Sequence, residues 1–481
     1  MNILFAVQDT AFFKPLGLMQ MSAMAKQRGD KTDLVVLSKE NIWDKIREYN
    51  PDVVAYTATT GEHKHYVKVN KRIKSEHKNI FTIMGGPHAT FFPEILNEAD
   101  LDAICIGEGE YAFVELLNRL EKKEDISGLE NILIRGGKTN GLRPLVQNLD
   151  SLPFPDRALF YGKEKMKDEP SLLMGFMTSK GCPYNCTYCF NHSYRKMYAG
   201  EKYLRSHSVG YVLNEILDAQ KVSDFKYLRF MDDTFVLRKK GWLEEFSERY
   251  PKEIGLPFAV GSRFDLMTPE NADLLKRAGC CSVSMAMESA NPRIRKEILG
   301  RSMSNEDIIL GTKYCIERGI SVLTFAMVGL PTSKIEDDIG AVDLSIEAKI
   351  PITEFYIFNP FPKTRLCEMC IEKGWFDGDM SKINTHSFSS PSVLSCFTDR
   401  EKNAQVNIRF LGPAVVRHPS LRNIVMNHLI YLPTNRVYER IYDIGKTLTY
   451  QSKVYKMGYS LRDRLQVLKK VFRIENAKRE G

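Results

Sequence analysis

The sequence predicts an α/β protein built from an open, doubly wound sheet, a partial (β/α)6 barrel and a mainly helical C-terminal region. Short β-branched runs alternate with helical patterns twice along the 481 residues, and strand signals become rare after about residue 380. A proline-containing stretch separates the two alternating parts. The chain is also longer than one domain usually is, so we expect several domains.

The first part, residues 1–135, carries six candidate strands with helical patterns between them, for example Gly17–Arg28 and Tyr66–His77. Ligands on doubly wound sheets lie beyond the carboxyl ends of the strands. Three loops at such ends are rich in glycine, and no G-x-G-x-x-G follows the first strand, which argues against a dinucleotide site. The predicted strands are Ile3–Val7, Thr32–Leu37, Val53–Thr57, Ile80–Gly85, Ala103–Ile106 and Asn131–Ile134.

Residues 136–170 are predicted to be a linker, because Leu152–Asp156 contains Pro153 and Pro155 and a Lys/Glu-rich run follows. The alternation resumes over residues 171–380 with six candidate strands, which predicts a partial, open barrel. These strands are Leu172–Met177, Tyr227–Met231, Phe258–Gly261, Ser282–Met287, Ser321–Val328 and Glu354–Phe358.

Three cysteines, Cys182, Cys186 and Cys189, follow the first of these strands with C-x3-C-x2-C spacing. Thiolates hold iron–sulfur clusters, normally four per cubane, so three would leave one iron of a [4Fe–4S] cluster open. A loop at the carboxyl end of a barrel strand is where barrel enzymes carry their chemistry. Two alternatives remain open: a zinc site with His192 as the fourth ligand, and three buried thiols.

The cysteine spacing and the aromatic Tyr188 before the last cysteine resemble the radical S-adenosylmethionine (SAM) family. The resemblance implies that SAM chelates the open iron and that the ends of later strands hold the rest of SAM. Asp232 or Asp233 would receive the SAM ammonium, although either could instead cap a helix. The other implied contacts are Arg263 with the SAM carboxylate or substrate (or a surface ion pair), Glu288 with the ribose hydroxyls (or an ordinary strand-end charge), and Gly329 with the adenine.

The N-terminal loops resemble the cobalamin-binding, Rossmann-like domain that precedes some radical SAM cores. The similar segments are Lys14–Leu18, GGPHAT and IGEGE. The resemblance implies cofactor contacts from Thr59, Gly85, Gly86, His88, Gly107, Glu108 and Gly109. The D-x-H-x-x-G motif of other cobalamin proteins is absent, which implies base-off cobalamin without that histidine; His63, His65 and His88 lie near the implied pocket.

Together these resemblances imply a cobalamin-dependent radical SAM enzyme that methylates an unactivated carbon of a small molecule. A one-electron donor such as flavodoxin or ferredoxin would reduce the cluster. One alternative keeps both cofactors but cyclises, rearranges or couples the substrate. A methylthiotransferase is disfavoured because residues 1–135 hold only one cysteine, Cys105, that could serve a further cluster. A non-catalytic cobalamin-binding or electron-transfer protein is disfavoured by the acidic residues Asp232 and Glu288 at the strand ends.

The remaining cysteines do not form the pattern of a secreted disulfide framework. Cys367 and Cys370 form a C-x2-C pair with Cys396 farther along, which allows either an auxiliary cluster or buried thiols. The sequence shows no signal peptide and no apolar run of the roughly 20 residues that a transmembrane helix needs. We therefore expect a cytoplasmic protein.

The C-terminal region, residues 381–481, is basic: from residue 400 onward it has 17 Lys and Arg against 6 Asp and Glu. Leu461, Leu465, Leu468 and Phe472 recur at helical spacing, and basic residues lie off that stripe. Such a helix could lie on an anionic membrane and imply a hydrophobic or lipid-like substrate, or it could pack against the barrel. A nucleic-acid surface is disfavoured because no binding motif is present.

Overall fold

The computed structural model describes residues 1–10, 14–138, 140–162, 173–383 and 390–450. Its residues fall into two compact units. The first is drawn from Met1–Pro183, Phe190–Phe225 and Ile383–Thr385, and the second from Tyr184–Cys189, Lys226–Lys382 and His386–Gly481.

The first unit is built around a six-stranded sheet of order β2-β1-β3-β4-β5-β6. Its elements are β1 (Asn2–Val7), α1 (Leu16–Arg28), β2 (Lys31–Val36), α2 (Ile42–Tyr49), β3 (Val53–Thr57), α3 (His63–Glu76), β4 (Phe81–Gly85), α4 (Gly86–Phe91), α5 (Ile95–Glu98), β5 (Ala103–Cys105), α6 (Glu110–Lys122) and β6 (Ile132–Ile134). Apolar residues of successive strands are buried on both faces of the sheet. Burial on two faces explains why these strands are continuous apolar runs.

All six predicted strands of this sheet are present, and all but the edge strand β6 are parallel, as in a doubly wound sheet. β1 to β5 pair in parallel, whereas β6 runs antiparallel to β5, with Ile104 opposite Leu133. An antiparallel edge strand on a parallel sheet is common. Its direction depends on the path of the chain after α6, which the apolar pattern of three residues does not encode.

The first unit continues with α7 (Ala158–Tyr161), β7 (Leu173–Phe176), β8 (Ser179–Lys180), α8 (Phe190–Met197), β9 (Arg205–Ser206) and α9 (Val209–Gln220). A buried ion pair fixes part of this region: Arg157 Nη2 lies 2.5 Å from Glu215 Oε1. The Arg157 guanidinium also lies 4.4 Å from the ring centre of Phe176.

The second unit contains five parallel strands in the order β14-β13-β12-β11-β10. Its strands and intervening helices are β10 (Tyr227–Phe230), α10 (Trp242–Glu253), β11 (Phe258–Ser262), α11 (Pro269–Ala278), β12 (Cys280–Glu288), α12 (Asn305–Glu317), β13 (Ser321–Val328), α13 (Ile335–Glu347), β14 (Ile352–Ile357) and α14 (Arg365–Glu372). With β7, all six strands predicted for residues 171–380 exist within one or two residues of their predicted bounds.

The two faces of this sheet differ in chemistry. On one face, which we call the outer face, Phe230 and Phe258 pack their rings against Phe246 and Tyr250 of α10. Because side chains alternate along a strand, the neighbours of these residues lie on the opposite, inner face. The inner face carries Arg229, Ala259, Gly261, Ser282, Ser284, Leu323, Phe325, Glu354 and Tyr356 in register across the strands.

The described C-terminal helices, α15 (Asp399–Arg417), α16 (Arg422–Asn427) and α17 (Arg436–Thr449), follow the barrel strands. A capping box of Thr398 and Glu401 starts α15. Tyr442 and Lys446 of α17 approach the buried Glu354 of β14, and the Lys446 Nζ to Glu354 Oε2 distance is 3.5 Å. The predicted helix at 461–472 lies outside the described residues.

Within the part of the chain that the structure describes, no helix is both long and apolar enough to cross a bilayer.

Candidate active site

The candidate active site of the second unit begins at the buried Cys186. Its Sγ lies 4.0 Å from Arg263 Nη1 and 3.9 Å from Arg301 Nη1. A neutral thiol in an apolar core needs no cation beside it, whereas hydrogen bonds from cations stabilise a thiolate or the sulfur ligand of an anionic cluster. The surroundings of Cys186 therefore fit a cluster ligand.

Tyr188, two residues further along, is held in a hydrogen-bonded chain. Its hydroxyl donates to Glu288 Oε1 at 2.8 Å and accepts from Arg301 Nη1 at 3.1 Å. Arg301 Nη2 also donates to the carbonyl of Ala286 at 2.7 Å. One guanidinium thus ties the cysteine loop to the end of β12.

Glu288 ends β12 beside a register shift after Ala286, and its φ of 63° lies in the left-handed region. Non-glycine residues adopt this conformation rarely, and strain of this kind is found at functional sites. Burial raises the pKa of Glu288 above its ordinary value, although Arg301 and the Tyr188 hydroxyl act in the opposite direction. The strand end therefore aims a buried carboxyl group at the cysteine loop.

The two candidate aspartates after β10 have different environments. Asp232 is buried, and its Oδ1 lies 3.0 Å from Arg238 Nη2 in an ion pair that is also buried. Asp233 is exposed. Neither caps a helix, because the next helix, α10, has Gly241 at its N-cap. Asp232 is thus paired with an internal cation, whereas Asp233 lies at the surface where the strand ends.

Arg263, after β11, is buried rather than part of a surface ion pair. Its Nε and Nη2 donate to Asp265 at 2.9 and 2.8 Å, and its guanidinium lies 3.7 Å from the ring centre of Tyr184. Arg263 is therefore fixed over the cysteine loop by a carboxylate and an aromatic ring.

Gly329, after β13, has a φ of 71°, and its N–H lies 3.2 Å from both carboxylate oxygens of Asp338. A Cβ there would lie 2.8 Å from Oε1 of the buried Gln405. Since the N–H is already bonded, any adenine contact from this residue would come from its carbonyl or its Cα.

Arg301 was not predicted from the sequence. It stands thirteen residues after Glu288, outside any strand end, and no local pattern marks it. Gly300 before it has a φ of 65°, and a Cβ there would lie 2.9 Å from the carbonyl of Asn185 in the cysteine loop. In the sequence, the one feature at this position is a glycine followed by an arginine, and this pair is too common to identify a functional site.

The three cysteines of the run have different surroundings. Cys182 and Cys189 are half-buried, and the Cys189 N–H donates to the carbonyl of Cys186 at 3.1 Å. Among the described residues, no three His, Cys, Asp or Glu side chains are gathered closely enough to hold a metal ion. Convergence of the three thiolates therefore stays a prediction.

In the first unit, the loops after β3 and β4 meet closely. Gly86 has a φ of 89°, and a Cβ there would lie 2.6 Å from Thr57 Oγ1. The His88 ring is buried and stacks on His63 with centroids 3.7 Å apart, and its Nδ1 lies 3.1 Å from Thr60 Oγ1. Burial lowers the pKa of His88 to about 3 and that of His63 to about 4, so both rings are neutral at physiological pH.

The other predicted contacts in these loops are less crowded. Thr59 is exposed, and its N–H and Oγ1 both donate to Glu62 Oε2. Gly85 is extended at the end of β4, and its carbonyl accepts from the N–H of Ala58 at 3.2 Å. His65 is exposed on α3. None of these contacts blocks a ligand above the strand ends of this sheet.

The loop after β5 is held by ion pairs. Glu108 lies 2.8 Å from Arg205 Nη2 and 3.4 Å from Lys180 Nζ, and these cations lower its pKa against the opposing effect of burial. A Cβ on Gly107 would lie 2.0 Å from the Tyr198 hydroxyl, and one on Gly109 would lie 3.3 Å from Cys105 Sγ. Glu108 thus pairs with Arg205, and Lys180 is bonded to the nearby Glu110.

Cys367 and Cys370 are buried in α14, whereas Cys396 is exposed. Burial raises the pKa of Cys367 to about 11 and that of Cys370 to about 12. Thiols with such pKa values stay protonated, which favours buried thiols over ligands of an auxiliary cluster.

Comparison with known proteins identifies the chain. Residues 176–344 match the Radical SAM superfamily, and residues 8–117 match the B12 binding domain. A methyltransferase of Pyrococcus horikoshii, whose name calls it uncharacterized, is 32% identical over 74% of this chain and 78% of its own length. The cytidylyl-2-hydroxyethylphosphonate methyltransferase of Streptomyces wedmorensis is 27% identical over 72% of this chain and 71% of its own.

Among solved structures, the radical SAM methyltransferase TsrM of Kitasatospora setae, with cobalamin and a [4Fe–4S] cluster bound, matches with a TM-score of 0.65. The match covers 99% of each chain at 16% identity, so it concerns the fold.

The chain belongs to the cobalamin-dependent radical SAM enzymes, a family whose named relatives include methyltransferases. Its cofactors are accordingly a [4Fe–4S] cluster, SAM and cobalamin. The predicted family, fold class and cofactors are confirmed, which favours an iron–sulfur cluster over zinc in the cysteine loop.

Proposed function

We propose that this enzyme transfers a methyl group to an unactivated carbon of a small molecule. The observation that carries the proposal is the chain of contacts that joins Cys186, Arg301, Tyr188 and Glu288 at the end of the barrel strands. When bound, the cluster and SAM supply a 5′-deoxyadenosyl radical and cobalamin supplies the methyl group.

Cys182, Cys186 and Cys189 would hold the cluster, and Arg263 and Arg301 would offset its negative charge at Cys186. Glu288 would accept hydrogen bonds from both ribose hydroxyls of SAM, since one carboxylate can accept from two adjacent donors. Tyr188 and Arg301 would keep that carboxylate in place.

Asp233 is the better candidate for the SAM ammonium, because Asp232 is committed to Arg238. The Gly329 segment would pack against the adenine. Arg263 keeps its Nε and Nη2 on Asp265, so the SAM carboxylate would be contacted by Nη1, the nitrogen that also lies 4.0 Å from Cys186 Sγ.

The first unit offers its strand ends to cobalamin. Gly85, Gly86, Gly107 and Gly109 would let the backbone approach the cofactor, with Thr59, His88 and Glu108 around them. Residues 1–135 would then form the cobalamin-binding domain, 171–380 the radical SAM core and 381–481 the C-terminal region. The cobalamin would be base-off and without a histidine from a D-x-H-x-x-G loop.

The test is anaerobic reconstitution of the full chain with SAM, cobalamin and a one-electron donor such as flavodoxin or ferredoxin. We expect 5′-deoxyadenosine and S-adenosylhomocysteine to form, and extracts of the source cells to yield a product heavier by one methylene unit. A product of unchanged or lower mass would support cyclisation or rearrangement instead. Absence of 5′-deoxyadenosine would contradict both.

Contact of this enzyme with a membrane surface is supported by one face of α17. Val437, Ile441, Ile444 and Leu448 recur at helical spacing and remain exposed, with fractions from 42% to 61%. Arg436 and Arg440 are exposed on the same helix, and the chain from residue 400 onward carries a net charge of +11, from 17 Lys and Arg and 6 Asp and Glu. Apolar side chains flanked by cations favour an anionic lipid surface.

We expect the full chain to sediment with phosphatidylglycerol liposomes at low salt, and the double variant Ile441→Ser, Ile444→Ser to remain in the supernatant. Leu217→Ser, at an exposed apolar residue of α9, is the control and should sediment like the unchanged chain. Equal sedimentation of all three proteins, or none, would exclude α17 as the contact.

A further inference from the structure

The inner face of the barrel sheet carries a cation that has no carboxylate partner among the residues that the structure describes. Arg229 of β10 reaches across β11 to Ser284 of β12, where its Nη1 and Nη2 lie 3.3 and 3.4 Å from Oγ. Ala259 and Gly261, which lie between them on β11, are small enough to let the side chain cross. A hydroxyl cannot neutralise a guanidinium, so the positive charge of Arg229 is unbalanced in the described part of the chain.

Two other charged groups on or beside this face, Arg263 and Glu354, are paired. Arg263 is bonded to Asp265 at 2.8 and 2.9 Å. Glu354 of β14 accepts from the Tyr442 hydroxyl and lies 3.5 Å from Lys446 Nζ. Arg229 is half-buried. Because withdrawing an unpaired charge from water is costly even in part, a cation in this position indicates that an anion binds there.

An apolar surface lies next to this cation. Leu323 is in register with Ser284 on the neighbouring strand, and Phe325 follows it on the same face. The rings of Phe325 and Tyr356 lie with centroids 5.9 Å apart and both are only half-buried. Burial raises the pKa of Tyr356 to about 12, so its phenol stays uncharged and adds no competing negative charge.

Ser284, the residue that Arg229 contacts, also lies apart from Glu288, the residue proposed to hold the SAM ribose. Ser284 precedes Glu288 by four residues on β12, which at the usual rise of a strand is roughly 13 Å. A ligand on Glu288 and the cysteine loop would therefore leave Arg229 uncovered.

We infer that the inner face binds the substrate, and that the substrate is an amphiphilic anion. Arg229 and Ser284 would hold its carboxylate, sulfonate or phosphate group, and Phe325 and Tyr356 would contact its apolar body. This inference rests on the proposed function, because it assigns a substrate class to the same barrel.

The test is calorimetric titration of the full chain, loaded with its cofactors, with 2-naphthoate and with 2-naphthamide. The two probes share size and shape and differ in charge. We expect naphthoate to bind at least about tenfold more tightly, since a charge-assisted bond to a guanidinium is stronger than a neutral one. Arg229→Gln should reduce this preference to less than about twofold, and Arg229→Lys should retain most of it.

Two further variants locate the effect. Arg277→Gln removes an exposed arginine of α11 and should keep the preference. Phe325→Ala should weaken both probes alike. A preference that survives Arg229→Gln, a preference lost equally in Arg277→Gln, or failure of both probes to bind the unchanged chain would overturn the inference. The titration needs no turnover, so its outcome is independent of whether SAM is cleaved.

Discussion

At the scale of single residues, Arg301 connects the cysteine loop with the end of β12. It contacts Cys186, Tyr188 and the carbonyl of Ala286 with one guanidinium. Glu288, at the other end of this network, has a left-handed backbone conformation and a buried carboxyl group. Such an arrangement fixes a side chain for a ligand more firmly than a flexible surface carboxylate would.

The change Glu288→Gln tests this arrangement. The amide keeps the shape but loses the charge, so we expect SAM to bind about tenfold more weakly while iron content stays unchanged. SAM dissociation constants and iron analysis measure the two effects. Glu297→Gln, at an exposed glutamate nearby, serves as the control. If SAM binding and cleavage were unaffected, Glu288 would have only a structural role.

The stacked histidines of the first unit predict a dependence on pH. The pKa of His88 is lowered to about 3 by burial, below the ordinary value of 6.5, so the unfolded chain binds a proton more readily. The cofactor-free protein should therefore lose stability as pH falls below about 6.5, by about 2 kcal/mol at pH 5. His88→Phe should reduce this loss. The free energy of unfolding in urea, measured at pH 7 and at pH 5, checks the prediction.

His65→Phe is the control for this measurement, because His65 is exposed on α3 two residues after His63. Its loss of stability between pH 7 and 5 should equal that of the unchanged protein. An equal loss in the His88 variant would mean that the buried ring does not cause the pH dependence.

At the scale of elements, the strand-to-helix loops are shaped by glycines that tolerate no side chain. The loop after β5 is the clearest case, because Gly107 combines a φ of 81° with the Tyr198 hydroxyl beside it. Gly200 has a similar φ of 89° but open space around it. Comparing substitutions at these two glycines therefore separates the cost of backbone strain, which both share, from the cost of a steric clash, which only Gly107 has.

We therefore expect Gly107→Ala to destabilise the protein more than Gly200→Ala. The strain of a positive φ costs about 1 kcal/mol at either residue, and the contact with Tyr198 adds on the order of 1–3 kcal/mol at Gly107 only. Thermal unfolding of the cofactor-free chain measures the difference. Gly107→Ala should also weaken cobalamin binding if this loop lies at the cofactor, and equal effects at both residues would contradict the steric argument.

At the scale of the whole molecule, five of the ten cysteines show two different kinds of surroundings. Cys182, Cys186 and Cys189 belong to one loop with cationic surroundings at Cys186, whereas Cys367 and Cys370 are buried thiols with a raised pKa. One class would carry the chemistry, and the other fills the protein core.

Replacing Cys182, Cys186 and Cys189 together by Ala should abolish the visible iron–sulfur absorption of the anaerobically reconstituted protein, together with SAM cleavage. The double variant Cys367→Ala, Cys370→Ala should keep its iron content, with a stability loss of a few kcal/mol from the cavities. Unchanged iron in the triple variant would contradict the cluster assignment, and iron lost in the double variant would reveal an auxiliary cluster.

The sequence by itself was sufficient for the strands of the two six-stranded sheets and for the family, but not for the short strands β8 and β9. Apolar runs placed all twelve predicted strands because burial on one or both sheet faces imposes a repeating pattern on nearby residues. The spacing of three cysteines was enough to indicate the cofactor class, since ligands from one loop are local in the sequence.

Only the tertiary structure decided which charges remain for ligands. Asp232 is committed to Arg238 and Glu108 to Arg205, whereas Arg229 contacts the hydroxyl of Ser284 and no carboxylate in the described part of the chain. The antiparallel direction of β6 and the position of Arg301 were likewise decided there. The physical reason is that pairing of strands and charges depends on residues far apart in the chain, which no local pattern records.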